Sequence, residues 1–204
     1  MIVSYHGAEC FKISQGDTTL ALNPISKDSK FRPTRFGADV TLITTNLPDF
    51  SGRDQTSRGD KGSFVISGPG EYEIKNIFIK GFLSEGPGKK TNTIYLISFE
   101  GMNLCFLGAL ASPTLSEGIL EAIEDVDILF TPIGEGGTLD PVSAYKLAVT
   151  LEPSVIIPMY YLKQGLEKFI KEGSETKVEP IDKLVVKKKD LEGKEGEIVV
   201  LKDE

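Results

Sequence analysis

Histidine is nearly missing from this chain: His6 is the only one. There is no tryptophan, and there are two cysteines, Cys10 and Cys105, far apart in sequence. These shortages exclude a zinc finger, a four-cysteine cluster and any site that needs two imidazoles. A cysteine nucleophile would have only His6 as its base. Each cysteine also lies in an apolar run (Cys10-Phe11 and Leu104-Cys105-Phe106), the setting of a small buried hydrophobe. No apolar run approaches the roughly 18 residues of a membrane span; the stretch 155–162 is short and carries Pro158. The N-terminus lacks a basic segment ahead of an apolar one and enters a strand pattern at once, so no secretory signal is expected. Unpaired cysteines without such a signal point to a reducing, cytoplasmic setting. Basic side chains are outnumbered, 23 against 30, for a net charge of −7. That balance opposes an extended nucleic-acid backbone, and Lys187-Lys188-Lys189 reads as a solvated strand end.

What is present suits one domain over residues 1–204, since 204 residues bury a sizeable core without staples. The first half reads as short strands over 2–5, 10–14, 18–22, 39–44, 63–67, 70–74, 77–81, 93–99 and 103–107, divided by glycine-rich turns. From about residue 112 helix and strand alternate. A helix opening at Ser112-Pro113 carries Leu115, Ile119 and Ile123 on one stripe. The clearest helix has Asp140 as N-cap and Pro141 at its first position, with Ala144, Leu147, Ala148 and Leu151 on one face and Pro153 as its stop. Strands over 127–130 and 154–158, a short helix around Leu166, Phe169 and Ile170, and strands over 184–187 and 197–201 complete the pattern. Strands first and alternation after predict an α/β (α+β) architecture: two packed sheets with helices outside, a four-layer αββα sandwich.

Five segments in order resemble the metallo-β-lactamase-fold hydrolases, in the small zinc-dependent branch similar to the lactonase that opens cyclic ascorbate phosphate. Residues 7–13, Gly-Ala-Glu-Cys-Phe-Lys-Ile, sit like the opening G-H-[AS]-C-F-x-I strand. Ala21-Leu22-Asn23-Pro24 resembles the following L-I-D-P turn. Residues 38–50 run without a gap along the segment that normally ends T-H-x-H-x-D-H. Residues 127–134 resemble D-V-A-L-L-P-I-G, and 156–161 resemble a segment that normally ends I-P-M-H-Y. The resemblance covers about residues 1–160.

In that family about five histidines and two aspartates hold one or two metal ions, which lower the pKa of a bound water. Carried over residue by residue, the histidines of T-H-x-H-x-D-H fall on Thr45, Leu47 and Phe50, and its aspartate on Asp49. The next histidine falls on Leu83, the bridging aspartate on Ala109 and the last histidine on Tyr160. His6 precedes the family glycine and is not a ligand position. One carboxylate and one phenol cannot hold zinc against water, so the resemblance implies neither a metal nor another cofactor. A replacement magnesium or calcium site would draw on Asp49, Asn46, Asp54, Asn23 and Glu85, whose spacing matches no ligand loop. Gly134-Glu135-Gly136-Gly137 reads as a turn, because the acidic cap that follows opposes an anion. Three functions stay open: a non-catalytic binding or scaffolding pseudoenzyme that self-associates or holds a protein partner; a metal-dependent hydrolase with a non-standard site; and a metal-free binder of a small ligand in the former substrate cleft. Leu47, Phe50 and Leu83, with Tyr160, are expected to converge and plug that cleft.

Overall fold

The computed structural model describes residues 1–173 and 177–204. Short β-rich runs set the first strands, alternating in β2 and buried along most of their length in the strands on either side. β1 (Ile2–Tyr5), β2 (Phe11–Gln15) and β3 (Thr18–Leu22) form an antiparallel meander, and β4 (Val40–Leu42) and β5 (Phe64–Ile66) join it in parallel. With β12 (Leu184–Val185) on its other edge this sheet runs β12-β1-β2-β3-β4-β5. The second sheet starts with β6 (Gly70–Ile74), β7 (Ile77–Glu85), β8 (Thr91–Phe99) and β9 (Met102–Phe106), all antiparallel. The turns Lys75-Asn76 and Glu100-Gly101 have positive φ at both central residues, the tight-hairpin geometry that matches strand twist. β10 (Ile128–Pro132), β11 (Val155–Met159) and β13 (Glu197–Ile198) continue the sheet in parallel, in the order β13-β11-β10-β9-β8-β7-β6.

The inward face of each sheet builds the main core, in which Phe11, Ile13, Leu20, Leu22, Val40 and Leu42 meet Ile79, Ile97, Leu104, Phe106, Phe130 and Ile157. A second core lies under the helices α1 (Glu117–Ala122), α2 (Pro141–Thr150) and α3 (Lys163–Gly173), which cover Ile94, Cys105, Leu129 and Ile156 of the second sheet. The α2 cap is as expected: Asp140 accepts from the Val142 and Ser143 N–H groups, and Lys146 and Thr150 face solvent.

The two-sheet sandwich therefore matches the architecture expected from the sequence, with one difference in its layers. All three described α-helices lie on the second sheet. The outer face of the first is covered by the connections on either side of β4, residues 23–39 and 43–63, where Thr41 of β4 bonds Thr56 and Arg58 bonds Thr19. Pro24, Pro33 and Pro48, with Gly37, Gly52 and Gly59, deny these connections any helix beyond a 3-10 turn at Arg53–Thr56. Two further corrections are local. α1 begins at Glu117 rather than at Ser112-Pro113, because the Ser112 hydroxyl accepts from the Thr114 N–H in a competing turn. β7 continues past Gly81 to Glu85; the glycine permits close approach, as a Cβ there would stand 3.1 Å from the Gly68 carbonyl. No described helix is long and apolar enough to cross a membrane.

Candidate functional site

One end of the sandwich gathers four connections: the turn between β1 and β2, residues 43–52 after β4, the turn after β9 and the residue after β11. A third apolar cluster sits there, made of Ala8, Cys10, Ile25, Phe50, Ala109 and Tyr160, with Phe31, Phe36 and Leu47 packed against it. Phe50 is 1% exposed and meets the Tyr160 ring edge-on at 5.1 Å. Phe31 closes the other side of that ring at 5.9 Å. Tyr160 itself has φ 53°, an unfavourable setting for an aromatic residue, and its N–H donates to the Ala8 carbonyl at 2.9 Å. Ala109 is wholly buried, and its N–H donates to Asn92 Oδ1 at 3.0 Å. Beside it Gly108 has φ 57°, and a Cβ there would stand 2.5 Å from Thr44, so only glycine brings the turn this close to the loop after β4.

The polar groups form a chain along the same end. Asn23 donates to Thr44 Oγ1 (2.8 Å) and to Glu9 Oε2 (2.7 Å), and accepts from the Thr44 N–H (2.8 Å). Asp49 accepts from the Ser29 hydroxyl and, at 3.1 Å, from the Tyr160 hydroxyl. Glu9 is fully buried and its Oε1 has no hydrogen-bond partner. Burial, reinforced by the Asp49 charge and only partly opposed by Asn23, pushes the Glu9 carboxyl up to about 8. Burial likewise holds the Tyr160 phenol well above its ordinary value, with Asp49 adding to the effect. At neutral pH the end therefore holds a protonated acid, a phenol and one carboxylate that already accepts two hydroxyl donors.

The seven positions singled out by the sequence separate into two groups. Leu47, Asp49, Phe50, Ala109 and Tyr160 come together in or beside the aromatic cluster. Thr45 and Leu83 instead line a separate cleft of about 190 Å³ with Asn46, Arg53, Thr91 and Thr93. Leu83 is 59% exposed, which corrects the expectation that it turns into the plug. The strand that carries it runs on to Glu85, and although its cross-strand partner Thr93 is buried, the Leu83 side chain is left toward solvent.

The donor set does not fit a metal. Asp49 is the one anionic group of the seven, the neighbouring Glu9 keeps its proton, and a protonated carboxyl is no ligand. Among the described residues no three His, Cys, Asp or Glu side chains converge. Of the oxygen-ligand candidates, Asn23 is committed to Glu9 and Thr44, and Asp54 accepts from Gln55 at 2.8 Å. His6 stacks on Phe36 at 5.0 Å, outside the cluster, and burial lowers its pKa. Cys10 is buried with its thiol pushed up to about 12, and burial raises Cys105 as well, so neither is a nucleophile. Sequence reasoning missed Glu9. The signal was an acid inside an apolar strand opening, where the resembled pattern has alanine or serine.

A larger cleft of about 500 Å³ adjoins the cluster, lined by Tyr5, Phe31, Tyr160, Tyr161, Leu166 and Leu201 among others. Comparison with known proteins agrees with the fold. The family described as "Beta-lactamase superfamily domain" matches residues 2–160. A protein of Listeria monocytogenes named a metal-dependent hydrolase is 27% identical over 213 aligned positions, covering 83% of this chain and 91% of its own. One of Listeria innocua with the same description is 26% identical, covering 79% and 85%. Among solved structures, a Thermotoga maritima protein assigned as a zinc-dependent hydrolase of the metallo-β-lactamase superfamily superposes with a TM-score of 0.80 at 25% identity, over 98% of this chain and 97% of its own. A Parabacteroides distasonis protein assigned as a metal-dependent hydrolase gives 0.69 at 14% identity, over 98% and 93%.

Proposed function

The chain belongs to the β-lactamase superfamily, and from that premise we propose that it is a non-catalytic member, a binding or scaffolding module whose metal centre has been replaced by packing. The observation that carries this reading is the Phe50–Tyr160 contact over the buried Ala109. Where the resemblance places two histidines and a bridging aspartate, these side chains bury one another and supply no anionic donor. Without a metal-activated water the fold has no hydroxide nucleophile at neutral pH. The two buried free thiols support a cytoplasmic setting, and the acidic balance argues against an extended polyanion as partner. Elemental analysis after dialysis against a mild chelator tests the reading. A metal content far below one per chain is expected, and about one zinc, manganese or iron per chain would overturn it.

One observation favours a second reading, metal-free binding of a small apolar ligand in the former substrate cleft. The cleft of about 500 Å³ beside Tyr160 has the size and the largely apolar lining of small-molecule sites. Thermal shifts that grow with the concentration of an apolar probe, and that vanish when the cleft is filled by Leu166→Trp, would favour it.

A further inference from the structure

His6, the only histidine of the chain, stands just past β1, where two peripheral segments meet. Its ring stacks on Phe36 at 5.0 Å, with 24° between the planes. Phe36 belongs to the loop that also carries Lys30 and Phe31, and those two residues line the cleft of about 500 Å³. On the other side, residues 199–204 run from the second sheet to the first. The Val199 N–H donates to the Ile156 carbonyl of β11 at 2.9 Å, the Lys202 N–H to the Ile181 carbonyl at 2.9 Å, and the Glu204 N–H to the Tyr5 carbonyl at 3.0 Å. Asp203 forms a parallel bridge with Tyr5, and its carboxylate packs on Gly7, where a Cβ would stand 3.0 Å away. Val200, Leu201, Lys202 and Asp203 are a second wall of the same cleft. His6 therefore touches the segments that carry both walls.

The place suits a neutral ring. The His6 side chain is 10% exposed, and its Nε2 is buried with no hydrogen-bond partner among the described residues. Glu204 Oε2 stands 3.8 Å from it, too far for a hydrogen bond. The charges facing the ring are Glu204 and Asp203 from the 199–204 segment and Lys12 from β2, whose Nζ lies 5.7 Å from the centre of the Phe36 ring; Arg32 of the loop acts on Asp203. Burial, with Lys12 adding to it, outweighs the two carboxylates and holds the His6 pKa below its ordinary value of 6.5. In an imidazolium both nitrogens must donate, and Nε2 has no acceptor in reach. When the segments that bury the ring draw back, water solvates the charge and the ordinary pKa returns. We propose that His6 is a proton-operated clamp: its neutral ring holds the loop at Phe36 and the segment at Glu204 together, and its protonation in mild acid loosens both and widens the cleft between them. Because the closed form binds the proton less tightly than the open one, closure is fully favoured above about pH 6.5 and is lost as pH falls through the lower folded value. As a gate the clamp rests on the reading that the cleft takes a ligand, but the clamp itself is tested without one.

A single histidine gives a single set of imidazole NMR signals, so its titration in the full chain reads His6 alone. The midpoint is expected below 6.5. Solvent-exchange rates of the Phe36, Lys202 and Glu204 amides, each relative to an unstructured chain at the same pH, should rise at least about twofold between about pH 7.5 and 5.5. Amides of the central strands β8 and β9 should not follow. His6→Phe keeps an aromatic ring on Phe36 with no proton to gain, and should abolish the rise. Lys12→Gln leaves the histidine in place and removes a repelling charge, so it should raise the midpoint and reduce the rise; it keeps the test open where His6→Phe does not fold. A midpoint at or above 6.5, or a rise below about twofold, overturns the clamp. Slower exchange at Glu204 in acid does so too, because its carboxylate would then be closing on the imidazolium. A rise that survives in His6→Phe belongs to Asp203, whose carboxyl is raised by burial, and a parallel rise in β8 and β9 belongs to the whole fold; either overturns it. If the clamp behaves as expected and indole, as an apolar probe, gives no thermal shift at either pH, the failure belongs to the ligand reading alone.

Discussion

Glu9 offers the sharpest test of how the site end is built. It is completely buried, one oxygen is bonded to Asn23 and the other has no partner. Ionising it there costs desolvation that no cation offsets. The carboxyl titrates near 8 in the folded chain, against an ordinary value of 4.5. Because the folded state holds its proton more tightly than the unfolded chain, folding is most favoured below pH 4.5 with respect to this group. Stability then falls as pH rises toward 8 and levels off above it. At about 1.4 kcal/mol per pH unit the full span amounts to about 5 kcal/mol, an upper figure if water reaches the site on ionisation. Glu9→Gln keeps the acceptor for Asn23 and removes the proton equilibrium. Urea unfolding of both proteins from pH 5 to 9 measures the difference, in which His6 and all other titrating groups shared by the two chains cancel. The glutamine variant should gain on the parent from pH 5 to about 8 and keep that gain above it. Parallel curves, or a parent that gains on the variant as pH rises, would show that Glu9 is ionised and compensated, and the account of this end would fail with it.

Two predictions concern the covering helices. Leu147, on the buried face of α2 at 6% exposure, should cost about 2–5 kcal/mol when changed to alanine, and a loss below about half a kcal/mol in denaturant unfolding would mean that another face packs on the sheet. Asp140→Ala removes the acceptor for the Val142 and Ser143 N–H groups and should cost about 0.5–2 kcal/mol at neutral pH. The Ser143 hydrogen bond lowers the Asp140 pKa, so this contribution is present above the ordinary aspartate value and is lost as pH falls through the lower folded one; a cost that persists unchanged at pH 2 would refute the capping role.

Much of the framework was legible because it rests on local signals. A β-rich run after the Gly16-Asp17 turn signal bounded β3 and alternation marked β6, both with their observed ends, and Asp140-Pro141 with Pro153 bracketed α2 closely. The start of α1 was not legible, because a serine-centred turn outcompetes the first helical turn there. Leu83 was placed in the plug by position along the motif. Its exposure depends on how far β7 extends and on what covers the sheet end, and both are set by tertiary neighbours such as Gly68 and Thr93. Glu9 shows the same limit from the other side: a buried acid is visible as an anomaly in the sequence, but its proton is held by burial in the folded chain, with Asp49 adding to the effect and Asn23 opposing it, all set by residues distant in sequence.

The resemblance implies that, in a metal-bearing relative, an ion would tie together the loop after β4, the turn after β9 and the residue after β11. In this chain the same connections are tied by direct contacts: Phe50 on Tyr160, the Tyr160 hydroxyl on Asp49, the Tyr160 N–H on Ala8 and Asn92 on Ala109. The exchange is coherent electrostatically. Buried carboxylates without a cation would be costly, and three positions of this end avoid that cost differently. Alanine stands at position 109 where the bridging aspartate would be, Asp49 accepts two hydroxyl donors, and Glu9 keeps its proton. Burying the Phe50 side chain contributes roughly 1.5–3 kcal/mol relative to exposure, a gain that a histidine poised to ligate could not supply. The aromatic packing, the protonated acid and the hydroxyl-capped aspartate each stand without a cation, so the end of the sandwich closes on its own side chains while the neighbouring cleft at Thr45 and Arg53 stays open.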